Sequence, residues 1–208
     1  QSLNIYDLDG IQYFDSLKVL ASIGNYNSSL PRLPSTLISL SVITGLTSLP
    51  ALPNSLEVLN CSANVLTTLP ALPNSLQILN CAYNRLTSLP MLPSSLMYLT
   101  CNDQQNGFQI TALPTLPPSL VYLKCRGNAI SILPNLPTSL AYLDVEFNDL
   151  SSLPMLPLSL KYLNCGANLL NQLPALPIFL DTLYCYNNQL IHLPALPNTL
   201  KCLICSSN

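Results

Sequence analysis

Apolar residues recur along the chain at a fixed spacing, with polar residues between them. The stretch LPALPNSLQILNCAYNRLTS, from Leu69 to Ser88, shows the unit most clearly, and the chain copies it with small changes from about Ser16 to its last residue. We write the unit as L-x-x-L-x-C-x-x-N-x-L-[ST]-x-L-P-x-L-P-x-S and number its positions from the first leucine. That leucine falls at Leu17, Leu37, Leu56, Leu76, Leu96, Leu120, Leu140, Leu160, Leu180 and Leu200. A fixed period of about twenty residues predicts a solenoid, in which each unit forms one turn.

Each unit contains a short stretch in which apolar and polar residues alternate, such as Leu79-Asn80-Cys81. Alternation predicts a β-strand with every second side chain turned inward. Stacked in parallel, the strands predict one long sheet on the concave face, roughly 45 Å along the solenoid axis at about 4.8 Å per strand.

The ninth position of most units is an asparagine, where the chain must turn away from the sheet. Buried backbone groups that lose their strand partners need new ones, and an inward amide side chain offers both donors and an acceptor. The unit therefore predicts an asparagine ladder, formed by Asn25, Asn64, Asn84, Asn128, Asn148, Asn168, Asn188 and Asn208.

All 19 prolines lie in the L-P-x-L-P segment that follows each turn. Proline fixes φ and lacks an N–H group, and it moves the preceding residue toward extended geometry. The convex side is therefore predicted to be extended or polyproline-II chain rather than helix, with the leucines before the prolines pointing into the core.

The irregular parts of the chain define its predicted organisation. Residues 1–16 depart from the unit and are predicted to form an N-terminal cap, and residues 17–208 form the solenoid as one cooperative domain. An insertion at 102–109 is predicted to interrupt the asparagine ladder, either as a functional loop or as a tolerated surface insertion. The sequence stops partway through a unit, so we expect the natural protein to continue or this end to pair with a second copy.

Composition narrows the function classes. Only 8% of the 208 residues are charged and the formal net charge is −2, which gives no attraction to nucleic acid or to an anionic membrane. No apolar run approaches the roughly eighteen residues that span a bilayer. His192 is the sole histidine and the six glycines are scattered, which argues against a catalytic triad, a metal site or a phosphate-binding loop. We therefore expect no enzymatic activity, no metal and no cofactor.

The eight cysteines follow the repeat rather than a disulfide or metal pattern. Seven occupy the sixth position: Cys61, Cys81, Cys101, Cys125, Cys165, Cys185 and Cys205. Val42 and Val145 fill the same slot in other units, so the slot takes a small apolar group, as which free cysteine behaves. We expect buried thiols there. Cys202 points to the other side of the sheet and is expected to be exposed, where it offers a thiol for pairing between chains.

The third and fifth positions of each unit face solvent on the concave sheet and hold the candidate binding residues. The third position includes four consecutive tyrosines. The predicted partner-binding residues are Tyr98, Tyr122, Tyr142, Tyr162, Lys124, Asp144, Tyr184, Arg126, Glu146 and Phe147. Tyrosine is enriched in binding hot spots because it gives a large amphipathic contact at low entropy cost. The alternative is structural, since aromatic residues on neighbouring strands stabilise a sheet.

The repeated L-P-x-L-P motif and the length of the unit resemble the LPX class of bacterial leucine-rich repeats, found in YopM-like and IpaH-like type III effectors. Cysteine at the sixth position and the stretch DLDGIQYFDSLKVL at 7–20 make the chain similar also to secreted and surface repeat proteins of Bacteroidetes. The resemblance covers nearly the whole chain and implies a leucine-rich-repeat solenoid in a secreted or cell-surface protein. No part of the chain matches the ubiquitin-ligase domain of IpaH-like effectors, so the resemblance does not imply that activity.

Three hypotheses follow for function. The first is an exported bacterial scaffold whose concave tyrosine face binds a protein partner, including a host protein. The second is a structural or adhesive surface module that self-associates, with a homodimer formed through the C-terminal end. The third is carbohydrate binding, in which sugars stack on the aromatic rings. The small number of polar groups around the third-position tyrosines argues against it.

Overall fold

The computed structural model describes residues 5–25, 29–105 and 107–208, and it consists almost entirely of short strands and extended segments. One 3-10 turn, Ile11–Tyr13, precedes the strands. The strands are β1 (Val19–Ile23), β2 (Ser39–Ile43), β3 (Val58–Asn60), β4 (Ile78–Asn80), β5 (Tyr98–Thr100), β6 (Tyr122–Lys124), β7 (Tyr142–Asp144), β8 (Tyr162–Asn164), β9 (Thr182–Tyr184) and β10 (Cys202–Ile204). Residues 1–4 of the predicted cap and residue 106 of the predicted insertion lie outside the described residues. Within the described part, no helix is long and apolar enough to cross a membrane.

The strands form one parallel sheet in the order β1 to β10, which confirms the predicted solenoid. Pairing aligns the same position of successive units, so that Tyr122 lies beside Tyr142 and Lys124 beside Asp144. Most strands span the third to fifth positions, one residue earlier than the L-x-C stretch that we predicted. The backbone pairing nevertheless continues into the sixth position, where the N–H of Cys81 donates to a carbonyl oxygen of the next unit at 2.8 Å.

The core is a column of leucine layers inside the coil. In the central units, leucines of the first, fourth and eleventh positions, such as Leu76, Leu79 and Leu86, are at most 1% exposed. At the C-terminal end this burial is lost, and Leu203 is 37% exposed. Removing each such side chain from water stabilises the fold by about 1.5–3 kcal/mol. Leu89, which precedes a proline, is 9% exposed and closes the core from the convex side, as predicted.

The asparagine ladder is present in the described residues. The Nδ2 of Asn84 donates to the carbonyl oxygens of Cys61, Cys81 and Ala82 at 2.9, 3.1 and 3.2 Å. Its Oδ1 accepts the N–H of Leu66 at 3.1 Å. The same pattern recurs in the ladder asparagines from Asn64 to Asn208, each of which closes its own turn and completes the turn of the preceding unit. Asn25 differs from the prediction, since its Nδ2 donates to Ser22 Oγ at 3.0 Å and its Oδ1 accepts the N–H of Ile5 at 3.1 Å.

The insertion does not interrupt this ladder, contrary to the prediction. Gln104 takes the ninth position, where its Oε1 accepts the N–H of Leu86 at 3.0 Å and its Nε2 donates to the carbonyl oxygen of Cys101 at 3.1 Å. Glutamine carries the same amide as asparagine, so it supplies the same bonds. The extra residues follow Gln104, and the unit resumes at Ile110, whose N–H donates to Asn128 Oδ1 at 3.0 Å.

The residue before most ladder amides adopts a left-handed backbone conformation. The φ angles lie between 50° and 65° at Ala63, Tyr83, Asp103, Gly127, Phe147, Ala167, Asn187 and Ser207. Most of these residues are not glycine, so the turn forces a conformation that costs an L-residue on the order of 1 kcal/mol or more. These residues form what we call the left-handed column, and this conformation turns their side chains outward at the edge of the concave face.

The L-P-x-L-P segments contain neither helix nor strand in the described part of the chain, which agrees with the predicted extended convex wall. Most units end in a serine whose hydroxyl group bonds to the backbone of the first leucine in the same unit. Ser75 Oγ donates to the carbonyl oxygen of Leu56 at 2.6 Å, and Ser95 Oγ donates to that of Leu76 at 2.7 Å. The repeated serines therefore have a structural explanation.

Burial of the sixth-position thiols is confirmed for six cysteines: Cys61, Cys81, Cys101, Cys125, Cys165 and Cys185. Burial raises the pKa of the Cys61 thiol to about 12. Cys205 is exposed, since β10 is the last strand of the described sheet and no following repeat covers it, as the repeat pattern also leads us to expect. Cys202 differs from the prediction: it is half-buried, with its Sγ 3.7 Å from the Tyr184 hydroxyl.

Candidate functional site

The third-position tyrosines pack against one another along the concave sheet. The ring centroids of Tyr122 and Tyr142, and those of Tyr142 and Tyr162, lie 4.2 Å apart with interplanar angles of 12° and 4°. Tyr98 is tilted by 36° at 6.1 Å from Tyr122, and Tyr184 meets Tyr162 edge to face at 5.7 Å. These five residues form a continuous surface that we call the tyrosine strip.

The stack determines which part of the rings a ligand meets. Both faces of the Tyr142 ring are covered by its neighbours, so the strip presents ring edges and hydroxyl groups there. Stacked pairs add about 0.5–1.5 kcal/mol each beyond area burial, which supports the structural role that we considered for the column. A sugar has no free ring face on which to stack at Tyr142, which argues against the carbohydrate hypothesis.

Two parallel ion pairs lie beside the tyrosine strip. Lys124 Nζ is 3.7 Å from Asp144 Oδ2, and Arg126 Nη1 donates to Glu146 Oε2 at 2.8 Å. The cationic side chains are 31% and 40% exposed, whereas the two carboxylates are only 5% and 6% exposed. The carboxylates therefore lie beneath the surface and the cations lie on it.

Glu146 is the centre of a polar network that joins four successive units. Its Oε2 also accepts Asn164 Nδ2 at 3.1 Å, and its Oε1 accepts the Tyr186 hydroxyl. Together with the bond from Arg126, these contacts satisfy a carboxylate that is almost fully buried. A buried charge with this many partners holds its neighbours in one arrangement.

Gly166 makes room for the Tyr186 side chain. A Cβ at Gly166 would lie 2.6 Å from Cε1 and 2.9 Å from Cζ of the Tyr186 ring. The φ of Gly166 is not positive, so the backbone does not require glycine there. The reason for glycine is the close approach of the ring, which lies across the strand end and reaches Glu146.

The ion pairs, Asn164, Tyr184 and Tyr186 line a shallow hollow of about 590 Å³, which we call the concave hollow. Burial raises the pKa of the Asp144 carboxyl, although the backbone N–H of Glu146 and the charge of Lys124 oppose the shift. Burial and the hydrogen bond to Glu146 raise the pKa of Tyr186 to about 12. The tyrosine hydroxyl is thus protonated at neutral pH.

The structure brings the predicted site residues together along one face. Phe147 lies in the left-handed column, 48% exposed, and its ring centroid is 5.1 Å from the Arg126 guanidinium carbon. Their role in binding remains a prediction.

Sequence reasoning omitted Asn164, Gly166 and Tyr186 from the site, and also Asp103, whose Oδ1 is 4.0 Å from Arg126 Nε. One feature of the sequence could have indicated Gly166. It is a glycine at the seventh position, where the neighbouring units have the large residues Arg126, Glu146 and Tyr186.

Other chemistry is sparse in the described residues. No group of three or more histidine, cysteine, aspartate or glutamate side chains there is arranged to hold a metal ion. His192 is exposed and lies outside the concave hollow. Further hollows lie on the convex side, lined by apolar residues of the L-P-x-L-P segments such as Met91 and Leu116.

Comparisons with known proteins agree with this architecture. No protein-family model matches the chain, and no curated protein matches it by sequence. Among solved structures, YopM from Yersinia enterocolitica aligns with 92% of the chain at 39% identity and a TM-score of 0.84. The chain therefore has the fold of a leucine-rich-repeat solenoid. YopM from Yersinia pestis, described as a leucine-rich effector protein, aligns with 99% of it at 33% identity and a TM-score of 0.88.

This leucine-rich-repeat protein spans about half the length of the two YopM chains, 47% and 57% respectively. A third solved structure is the functional domain of InlJ from Listeria monocytogenes, which includes a cysteine ladder. It aligns with 96% of the chain at 26% identity and a TM-score of 0.73, and the chain spans 48% of its length. In this chain, six sixth-position cysteines lie buried in successive or nearby units. The resemblance to bacterial leucine-rich repeats of the YopM type is thereby confirmed.

Proposed function

We propose that this leucine-rich-repeat protein is a non-enzymatic scaffold, exported by a bacterium, that binds a protein partner of a host through its concave face. The observation that carries the proposal is the continuity of the tyrosine strip with the concave hollow. Together they place aromatic edges, hydroxyl groups and cationic side chains side by side on one rigid sheet.

Rigidity favours binding because side chains that are already ordered lose little entropy in a complex. The stack fixes the rings of Tyr122, Tyr142 and Tyr162, and buried carboxylates fix Lys124 and Arg126. The surface combines the residue types that dominate binding hot spots, tyrosine and arginine. The effector described among the similar structures supports export and a host partner.

The test is affinity capture from host-cell lysate and serum with the immobilised 208-residue chain. The wild type is compared with the triple variant Tyr122→Ala/Tyr142→Ala/Tyr162→Ala and with Tyr122→Phe/Tyr142→Phe/Tyr162→Phe, which keeps the rings. Captured proteins are quantified by mass spectrometry, purified and bound again singly. We expect one partner to be retained by the wild type and lost from the alanine variant.

A matched control changes the opposite wall. Met91→Ala/Met155→Ala removes two side chains that are 86% and 87% exposed on the convex side and should leave capture unchanged. Circular dichroism and thermal unfolding show that each variant is folded. Equal capture by the folded alanine variant and the wild type would reject the concave face as the site. Self-association without any captured partner, seen by light scattering, would favour the adhesive-module hypothesis instead.

A further inference from the structure

The concave hollow has more free hydrogen-bond donors than acceptors. Glu146 accepts three hydrogen bonds. Both amide atoms of Asn164 are hydrogen-bonded, since its Nδ2 donates to Glu146 and its Oδ1 accepts the N–H of Gly166 at 3.2 Å. Asp144 Oδ1 accepts the N–H of Glu146 at 3.3 Å. The acceptors of Glu146 and Asn164 and one oxygen of Asp144 are therefore occupied from within the protein, and the other Asp144 oxygen, Oδ2, lies 3.7 Å from Lys124 Nζ.

The cations above that floor are only partly used. Arg126 donates one hydrogen bond through Nη1, and its Nη2 has no partner among the described residues. Lys124 lies 3.7 Å from Asp144, beyond hydrogen-bond distance, so its ammonium group donates no bond to the described protein. A guanidinium offers five N–H donors and an ammonium three. Arg126 Nε is buried, so the free donors at the surface of the hollow are those of the Arg126 Nη atoms and of Lys124 Nζ.

The geometry also fixes where these donors point. Glu146 beneath and the Phe147 ring beside it hold the Arg126 guanidinium, and Asp144 beneath holds Lys124. Lys124 ends β6 and Arg126 lies two residues beyond it, and both cations line the concave hollow. Guanidinium groups held in this way bind carboxylates strongly because the planar fork is already oriented.

We propose that Lys124 and Arg126 bind a carboxylate of an acidic segment of the protein partner, while the tyrosine strip contacts the rest of that segment. This inference rests on the proposed function and adds the chemistry of the partner. Asp144 and Glu146 are positioning residues, which act by holding the two cations from below.

The local charge count does not by itself favour an anion. Lys124 and Arg126 face Asp144, Glu146 and Asp103, and the chain carries a net charge of −2. Recognition therefore depends on short-range hydrogen bonds from exposed cations rather than on long-range attraction. We expect association at an ordinary rate, without strong electrostatic steering.

The experiment selects short random peptides from a phage library on the immobilised 208-residue chain. Parallel selections use Lys124→Gln/Arg126→Gln and the control Lys161→Gln/Lys201→Gln, which also removes two positive charges but leaves the hollow intact. Peptides selected on the wild type are synthesised with each aspartate changed to asparagine and each glutamate changed to glutamine. Their affinities for the wild type and both variants are measured by calorimetry.

The expected result is enrichment of aspartate and glutamate on the wild type and on the control, but not on Lys124→Gln/Arg126→Gln. One amide replacement in the peptide should weaken binding about tenfold or more, because a hydrogen bond to a charged group is lost. The same replacement should have little effect on the affinity for Lys124→Gln/Arg126→Gln, which lacks the contact.

Two outcomes overturn the inference in different ways. Peptides that require the tyrosine strip, tested with Tyr122→Ala/Tyr142→Ala/Tyr162→Ala, but tolerate amide replacement would reject the carboxylate and leave the proposed function intact. Failure to select any peptide that depends on the tyrosine strip or on the two cations would count against both proposals.

Discussion

Replacing Asn84 with alanine tests the asparagine ladder most directly. Asn84 is fully buried and makes four hydrogen bonds. The carbonyl oxygens of Cys61, Cys81 and Ala82 each keep another donor, from Asn64, Gln104 and Ala63 respectively. The N–H of Leu66 has no other partner among the described residues and becomes a buried, unpaired donor.

These contacts set the size of the effect. A buried donor left unpaired costs about 1–3 kcal/mol, and each further hydrogen bond lost contributes roughly 0.5–1.5 kcal/mol, part of which the remaining partners recover. We expect Asn84→Ala to lower the free energy of unfolding by about 2–4 kcal/mol. That is a large share of the 5–15 kcal/mol typical of a folded domain.

The control is Asn208→Ala, which removes an equivalent set of hydrogen bonds at an exposed position. Water replaces the lost bonds there, so we expect a change below about 1 kcal/mol. Both variants are measured by urea denaturation, followed by circular dichroism and tyrosine fluorescence, whose transitions must coincide for a two-state analysis. Equal destabilisation by the two substitutions would refute the argument that burial makes the ladder energetically important.

Three other predictions follow from the site and the core. Gly166→Ala should displace the Tyr186 ring from Glu146 and lower the free energy of unfolding by about 1–3 kcal/mol through overpacking. The NMR chemical shifts of the Tyr186 ring should change, and an unchanged ring signal would contradict the close contact. Native protein should show two thiols, Cys202 and Cys205, that react readily with a thiol reagent, and all eight after denaturation; rapid reaction of more than two would show that the core opens. Because folding raises the pKa of Tyr186 from 10 to about 12, the stability from its protonated hydroxyl is complete below pH 10 and is lost as the pH rises toward 12; a Glu146→Gln variant should show a smaller loss in denaturation experiments over that range.

The sequence was sufficient to predict the solenoid, because its period fixes both the strand spacing and the inward positions. The alignment of Tyr122 with Tyr142 follows directly from the twenty residues between them. The sequence analysis missed that Gln104, at the ninth position counted from Leu96, replaces a ladder asparagine, because only the structure shows that the longer side chain reaches the same backbone partners. It also did not reveal the network around Glu146, since Tyr186 reaches it from forty residues away across Gly166.

The candidate site shows the same division. The repeat predicts Lys124 at a solvent-facing strand position and Arg126 in the turn beside it, and both line the concave hollow. Whether the cation or the carboxylate of each ion pair is buried depends on packing. Here the carboxylates of Asp144 and Glu146 are buried and the cations are exposed. The spacing of the charged residues in the sequence does not predict which of them are exposed to a ligand.

The asparagine ladder gives the chain a direction of assembly. Asn84 completes the unit that contains Cys61 and Leu66, and Asn168 likewise donates to the carbonyl oxygen of Val145 in the unit before its own. A unit is therefore finished only when the next one has been threaded into place. During synthesis, folding of the growing coil should therefore trail the emerging chain by about one repeat, and the last turn stays open until the next unit has emerged.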